Sequence, residues 1–231
     1  MTEDSTRTFT TVSKDLLRKF IPQFLLRERN IVLRLGPKAG QTYASLMLVD
    51  LLGIRRGNGR RVPETARSFT FVCFGNIMRS AMAEALMRQA VVNSGLEARI
   101  QISSAGLHAA PGREAHPWAQ EASAELGFSL TDHRAKLLTR EMVEKSDAVL
   151  AMDFQNKAEL LTLYPEFQKK IYMLSAYAEG AWQCREIPDP YLGDLETTRF
   201  CLRQLQTCIR NLMISTFPAS ARSEKLALPS P

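Results

Sequence analysis

Cysteine is scarce in this chain: four in 231 residues, alongside three histidines and two tryptophans. So few thiols exclude a disulfide-stapled scaffold and fit a compartment that keeps thiols reduced. Long apolar runs are missing too. The most apolar stretch, Ala44 to Ile54, is short and carries Asp50, whereas a bilayer span needs about 20 apolar residues. The start, Met1-Thr2-Glu3-Asp4-Ser5, is acidic and polar. It has no basic region leading into an apolar one, so no secretory signal is expected. These absences predict a cytoplasmic protein. No internal repeat or low-complexity tract is evident.

What is present is an ordinary globular composition, 45% hydrophobic and 23% charged, which excludes a disordered or fibrous chain. The net charge of +6 is unevenly spread. Residues 1–67 hold 13 basic and 6 acidic residues, a net of +7, and residues 68–231 come to −1. One domain of typical size plus an appendage fits both length and charge. Residues 1–67 read as a basic, mainly helical N-terminal extension, with helical stretches at Ser13–Phe24 and Leu25–Leu35. Gly36-Pro37-Lys38-Ala39-Gly40 breaks them, and a third helix is expected from about Gln41 to Ile54. The Gly, Pro and Arg of Arg55–Pro63 predict a linker near 55–67. A second unit follows over 68–215, and a loose tail over 216–231.

From Ser68 the pattern is β-branched and aromatic, and Phe69–Cys73 reads as a buried strand. Further strands are expected at Ile100–Ser103, Asp147–Met152 and Lys170–Leu174. Helices are expected at Ser80–Asn93, Ala115–Leu126, from Thr139, at Asp153–Leu163 and at Leu195–Leu212. Alternating strands and helices predict an α/β fold, a parallel sheet with helices on both faces.

In such sheets ligands bind beyond the carboxyl ends of the strands. The first strand ends at Cys73, and Val72-Cys73-Phe74-Gly75-Asn76-Ile77-Met78-Arg79-Ser80 follows. The chemistry suits a phosphate dianion. Gly75 permits a loop with inward backbone N–H groups, and the helix beginning near Arg79 adds its positive end. Arg79 can grip two phosphate oxygens with its planar fork. The same field favours a thiolate nucleophile at Cys73. The bland alternative is a Cys packed as a small hydrophobe. Before the last helix, Glu186-Ile187-Pro188-Asp189-Pro190-Tyr191 holds a carboxylate between two prolines. Held over a thiolate loop, Asp189 could protonate a leaving oxygen; otherwise the segment is a turn.

At this point the chain resembles the low-molecular-weight protein tyrosine phosphatases. Phe71-Val72-Cys73-Phe74-Gly75-Asn76-Ile77-Met78-Arg79-Ser80-Ala81-Met82-Ala83-Glu84, then Ser104-Ala105-Gly106, Asp132-His133-Arg134-Ala135 and Asp189-Pro190-Tyr191, match that family in order. The resemblance covers about 68–215. It implies a three-layer sandwich with a four-stranded parallel sheet and a mechanism without metal or cofactor. It also implies a phosphocysteine intermediate, with Cys73 as nucleophile, Arg79 as phosphate clamp and Asp189 as general acid and base. Phe74, Gly75, Asn76, Ile77, Met78 and Tyr191 would surround the substrate. Ser80, Ser104 and His133 would support the loop, holding Asn76 in an unusual backbone conformation. The implied substrate is a tyrosine-phosphorylated protein, bacterial relatives often acting on kinases of exopolysaccharide export.

The chain departs from the family pattern in places. Met78 replaces a cysteine that in many relatives shields the nucleophile from overoxidation, Ala81 replaces a proline, and Leu192 a tyrosine. Leu107-His108-Ala109-Ala110 lacks the aromatic wall some relatives place opposite Tyr191. Ile77 stands where phosphoarginine-selective members have Thr, which favours phosphotyrosine.

Two rivals share these features. A thiol-dependent arsenate reductase would need resolving cysteines, and Cys201 and Cys208 lie seven residues apart on one helix, about 10.5 Å, too far for a direct bond. A phosphoprotein-binding module would need a lost nucleophile or acid. For residues 1–67, Lys14, Arg18, Lys19, Arg27, Arg29 and Arg34 interleaved with apolar residues allow three roles. These are contact with an anionic membrane surface, docking of an acidic partner, or a helical cap on the phosphatase. No motif points to nucleic acid.

Overall fold

The parallel β-hydrogen bonding implied by alternating strands and helices is realised in one four-stranded sheet. The computed structural model describes residues 23–52, 60–179 and 186–218. In chain order these form α1 (Gln23–Leu51), β1 (Ser68–Cys73), α2 (Arg79–Asn93), β2 (Gln101–Gly106), α3 (Pro117–Glu125), α4 (Arg140–Lys145), β3 (Ala148–Ala151), α5 (Phe154–Leu163), β4 (Ile171–Met173) and α6 (Leu195–Thr216). The strand order is β2-β1-β3-β4, every pair parallel. The chain passes from β1 to β2 on one side and then crosses to β3 on the other, so the switch point lies beyond the carboxyl end of β1, where Cys73 sits. The expected tail beyond residue 218 and the helix expected at Ser13–Phe24, apart from its last two residues, lie outside the described residues.

The strands are apolar on both faces because both are covered. Phe69, Phe71 and Cys73 join Ile102, Leu150 and Met152 in a core on one side, against α2, α3 and α6. Val72 joins Ala105, Val149, Ala151 and Met173 on the other, against α4 and α5. This period-two division produces the three layers. α2 is built of Ala, Met and Leu, strong helix formers, and is buried nearly all round between the sheet and α6.

α1 adds a further layer outside α5. The break expected at Gly36–Gly40 is a sharp corner. Gly36 takes φ +75°, which L side chains resist and glycine does not, and Pro37 starts the next turn with its φ already set. The second stretch therefore begins several residues before the expected Gln41. At Gly40 the backbones meet: a Cβ there would lie 2.5 Å from the Val32 carbonyl oxygen. Tyr43 is buried in the α5-side core, and Ile31, Val32, Leu35, Leu46 and Met47 pack against the same core.

The stretch expected to be a linker behaves differently where it is described. Residues 60–67 pack on the sheet unit. The Val62 N–H donates to Tyr177 Oη at 2.7 Å. The Arg60 and Arg61 guanidinium groups lie 4.6 and 5.1 Å from the ring centres of Tyr172 and Tyr177, within cation–π range.

Candidate active site

The segment Phe74–Met78 joins β1 to α2, and its shape is fixed by Asn76. Asn76 is the one non-glycine described residue with positive φ, +54°, a conformation that costs an L residue about 1–2 kcal/mol. Five hydrogen bonds hold it. Its Nδ2 donates to Ser80 Oγ at 2.9 Å and Ser104 Oγ at 2.8 Å. Its Oδ1 accepts the Lys136 N–H at 2.8 Å, and its carbonyl accepts His133 Nε2–H at 2.6 Å. Its own N–H points to Cys73 Sγ at 3.3 Å. The left-handed torsion lies at Asn76 and not at Gly75, where an added Cβ would meet only Ile77, at an ordinary 3.7 Å. The glycine that geometry does demand is Gly106, at the end of β2. A Cβ there would stand 2.7 Å from the Phe74 carbonyl oxygen and 2.8 Å from the Asn76 nitrogen.

Behind Asn76 the network runs on. Ser104 Oγ donates to Glu84 Oε2 at 2.5 Å, and Arg88 donates to the other oxygen of Glu84. Glu84 stands inside the motif, yet the sequence reading gave it no role. At the front, Ser80 Oγ lies 3.0 Å from Cys73 Sγ. Ser80 Oγ accepts from Asn76 and has its one proton for either the sulfur or the Ala105 carbonyl, the latter at a longer 3.4 Å. Cys73 is 3% exposed.

α2 starts directly after the loop, and Met78 at its N-cap gives no side-chain hydrogen bond. By contrast His116, Thr139, Asp153 and Asp194 cap α3, α4, α5 and α6 with their side chains. The first amides of α2 are thus left without a protein cap at a positive helix end, the arrangement that receives an oxyanion.

Arg79 is almost fully buried, and its fork is divided between two carboxylates. NH1 donates to Asp153 Oδ2 and NH2 to Asp189 Oδ2, both at 2.6 Å, and NH1 also reaches the Ile187 carbonyl at 3.1 Å. Burial works against the charge of Arg79, but Asp153, Asp189 and Cys73 outweigh it and hold the guanidinium more firmly protonated than usual. Asp153 was missed by sequence reasoning, which placed it only at the head of a helix. Its Oδ1 caps α5 through the Asn156 N–H at 2.6 Å, leaving Oδ2 for Arg79. The available signal was its place just past β3, beside the switch point.

The segment that carries Asp189 is pinned by hydrogen bonds just before its prolines. The Ile187 N–H donates to the Met152 carbonyl at 2.8 Å, and Glu186 Oε1 accepts the Phe154 N–H at 2.6 Å. Asp189 heads a short 3₁₀ turn (Pro190–Leu192) and is half-exposed. A cleft of about 1060 Å³ opens here, lined by Phe74, Arg79, Asp153, Asp189, Tyr191 and residues of α1. Phe74 and Tyr191 are each somewhat over 40% exposed. The His108 ring lies 4.6 Å from that of Phe74, and the His116 ring 5.8 Å from that of Tyr191. Histidines thus back both aromatics, and the ring that the 107–110 region brings is the imidazole of His108, which stacks on Phe74. Burial, and secondly Arg113, lowers the pKa of His116.

The expected residues separate into groups. Cys73, Asn76, Arg79, Ser80, Ser104, His133 and Asp189 converge on the loop. Phe74 and Tyr191 reach the cleft. The side chains of Ile77 and Met78 turn into the core instead and do not line the cleft. Cys201 and Cys208 are buried in the core on α6, and Cys184 lies outside the described residues. Among the described residues no cluster of His, Cys, Asp and Glu is arranged to hold a metal ion, and no helix is long and apolar enough to cross a membrane.

The chain is similar to known proteins in sequence and fold. A protein-arginine-phosphatase of Bacillus subtilis is 34% identical over 142 residues, covering 62% of this chain and 91% of the relative. A probable low molecular weight protein-tyrosine-phosphatase EpsP of Ralstonia nicotianae is 33% identical over 140 residues, covering 61% and 89%. The crystal structure of a YwlE mutant from Bacillus subtilis matches with a TM-score of 0.59 at 32% identity, over 64% of this chain and 97% of that one. A protein tyrosine phosphatase from Entamoeba histolytica matches with a TM-score of 0.62 at 27% identity, over 66% and 98%. The family model that describes low molecular weight phosphotyrosine protein phosphatase matches residues 68–225, more than half the chain, and the chain belongs to that family.

Proposed function

We propose that the protein hydrolyses phosphotyrosine in protein substrates through a phosphocysteine intermediate, with residues 68–215 as the catalytic unit. Cys73 Sγ attacks phosphorus while the bond to the phenolic oxygen breaks, and Asp189 gives that oxygen its proton. Arg79 and the loop amides stabilise the equatorial oxygens as charge develops. Asp189 then takes a proton from a water molecule whose oxygen attacks phosphorus. The S–P bond breaks, and inorganic phosphate leaves. Arg79 binds two carboxylates before substrate arrives, so an incoming dianion must displace one of them. Asp189 is the more exposed of the two and the one with a second task, so it is the one that swings from Arg79 to the leaving oxygen, taking up from solvent, as that ion pair breaks, the proton it then gives. Asp153 stays, since it also caps α5.

The observation that carries this reading is that Arg79, whose charge Cys73 at the loop behind it helps to hold, meets Asp189 in one cleft set among the half-exposed aromatic faces of Phe74 and Tyr191. Aromatic walls favour an aryl ester. The buried side chain of Ile77 leaves that preference resting on Phe74 and Tyr191. A second reading, phosphoarginine, is favoured by the carboxylates of Glu28, Asp153, Glu186 and Asp189 around the same cleft, which suit a guanidinium leaving group. The physiological target proposed from the family resemblance is a phosphorylated protein such as a kinase of exopolysaccharide export, met in the cytoplasm.

Hydrolysis of p-nitrophenyl phosphate, a phosphotyrosine peptide and a phosphoarginine peptide tests both readings. Cys73→Ser is expected to abolish turnover on all three. Asp189→Asn should lower kcat on the peptides by about 10²–10⁴-fold, the usual worth of a positioned acid. An inactive wild type, or turnover retained by Cys73→Ser, defeats the mechanism. A higher kcat/KM on phosphoarginine moves the assignment to the second reading.

A further inference from the structure

We infer that α1 is a substrate-recognition wall of the cleft, on which Arg34 selects phosphotyrosine segments carrying an acidic residue beside the phosphorylated one. The inference rests on the phosphoprotein reading of the site and names the substrate feature that α1 reads.

Four observations support it. First, about 1060 Å³ exceeds the space one phosphorylated side chain fills, since clefts of roughly 300–1000 Å³ take whole drug-sized molecules. The cleft therefore has room for residues flanking the phosphotyrosine. Second, the extra wall comes from α1: Glu28, Asn30, Ile31, Arg34 and Tyr43 line the same cleft as Arg79 and Asp189. α1 lies wholly before residue 68, where the segment shared with the family begins, so this wall is a property of the present chain.

Third, the wall is held in place. The corner at Gly36, the contact of Gly40 with the Val32 backbone and a 2.5 Å hydrogen bond from Tyr43 Oη to Glu28 Oε2 fix its first half against its second. Tyr43 itself is buried in the α5-side core. A preformed wall costs little ordering entropy when a peptide binds.

Fourth, the charged groups around the cleft each have a hydrogen-bond partner, and Arg34 is the exposed cation among them. Asp153 and Asp189 share Arg79, Glu186 takes the Phe154 N–H, and Glu28 takes the Tyr43 hydroxyl. Arg34 is exposed, and among the described residues it donates only to the neutral amide of Gln155, at 2.7 Å. Arg34 lines the cleft with further donors on its planar fork, matched in shape and charge to a carboxylate.

The test uses the full chain and three phosphotyrosine peptides identical except for flanking Glu, Gln or Lys. At low ionic strength the wild type should favour the Glu peptide over the Gln peptide by about two- to fivefold in kcat/KM, the range of an exposed ion pair, with the difference in KM. The preference should shrink as screening length falls from roughly 30 Å at 0.01 M to 3 Å at 1 M salt. Arg34→Gln should bring the three peptides level, and Arg34→Glu should place the Lys peptide first, an inversion that misfolding does not produce. A wild type that hydrolyses p-nitrophenyl phosphate but treats the three peptides alike overturns the role of Arg34 and leaves the catalytic reading standing. So does an Arg34→Glu variant that keeps the wild-type order. Failure of the wild type on p-nitrophenyl phosphate itself defeats the catalytic reading, and the inference with it.

Discussion

Single residues decide whether the phosphate loop exists. Asn76 holds a left-handed torsion only because its amide, carbonyl and N–H are all satisfied, two of the five bonds going to serines that are themselves buried. Ser104 is the pivot, since it accepts from Asn76 and donates to Glu84. Ser104→Ala strands an amide proton and a carboxylate oxygen in the interior. The expected cost is about 1–3 kcal/mol of stability, read as a lowered Tm. Loss of loop geometry should lower kcat on p-nitrophenyl phosphate by up to about 100-fold, the penalty of roughly 1 Å of misplacement. A variant with wild-type kcat would show that the loop keeps its shape without Ser104. The supporting serines and His133 were legible in the sequence because the family resemblance carried them. Glu84 and Asp153 were not, since each looks like an ordinary helix residue until its partner, 20 or 74 residues away, is brought beside it.

At the level of elements, the site is an intersection of three ends: the carboxyl end of β1, the uncapped start of α2 and the capped start of α5. The strands and helices of this unit were readable from their periodicity, with most ends shifted by a residue or two, but β2 running three residues and α6 four residues further than expected, and Gly127 closes α3 with φ +81° as a left-handed C′ residue. α1 is the element the sequence described least well. Its Gly-Pro-Lys-Ala-Gly stretch reads as an interruption, but the second glycine is there because another backbone passes over it. Gly40→Ala puts a methyl against the Val32 carbonyl, a rigid neighbour. Overpacking of this kind costs about 1–3 kcal/mol and pushes the first half of α1 from its place over the cleft. The expected result is a lower Tm together with a weakened preference for acidic flanking residues. An unchanged Tm would mean that the corner relaxes freely.

For the whole molecule, the basic excess of the first 67 residues proves to be partly structural. Arg60 and Arg61 lie over tyrosine rings of the sheet unit, Arg67 lies over Phe217, and Arg34 faces α5 and the cleft. Of the three roles open to the extension, a cap on the phosphatase is the one supported by the packing of its described residues, 23–52 and 60–67. Arg60 also acts at a distance on Lys157, whose ammonium is pulled down to about 8, first by burial and then by that guanidinium. An unfolded lysine titrates near 10.4. Between pH 8 and 10.4 the unfolded state therefore binds more protons than the folded one, and stability rises with pH in that window. Above it the sign reverses, because burial raises the pKa of Tyr43 and Tyr177 and their unfolded forms ionise first. Thermal unfolding of wild type and Lys157→Met from pH 7 to 10 checks this. The wild-type curve should climb relative to the variant above pH 8, and parallel curves would remove Lys157 from the account.

By itself the sequence determined what local physics can write. It set the strand that ends at Cys73, the loop and helix start that suit a dianion, the rigid carboxylate at Asp189 and the alternation that makes a parallel sheet, because each depends on residues close together in the chain. Only the tertiary structure decided which distant groups meet there. Arg79 is shared between Asp153 and Asp189 across 74 and 110 residues, Ile77 faces the core, and a basic N-terminal segment becomes a wall of the cleft. Those outcomes follow from how the helices pack on the sheet, and packing is set by shape and burial over the whole fold rather than by any one stretch of chain.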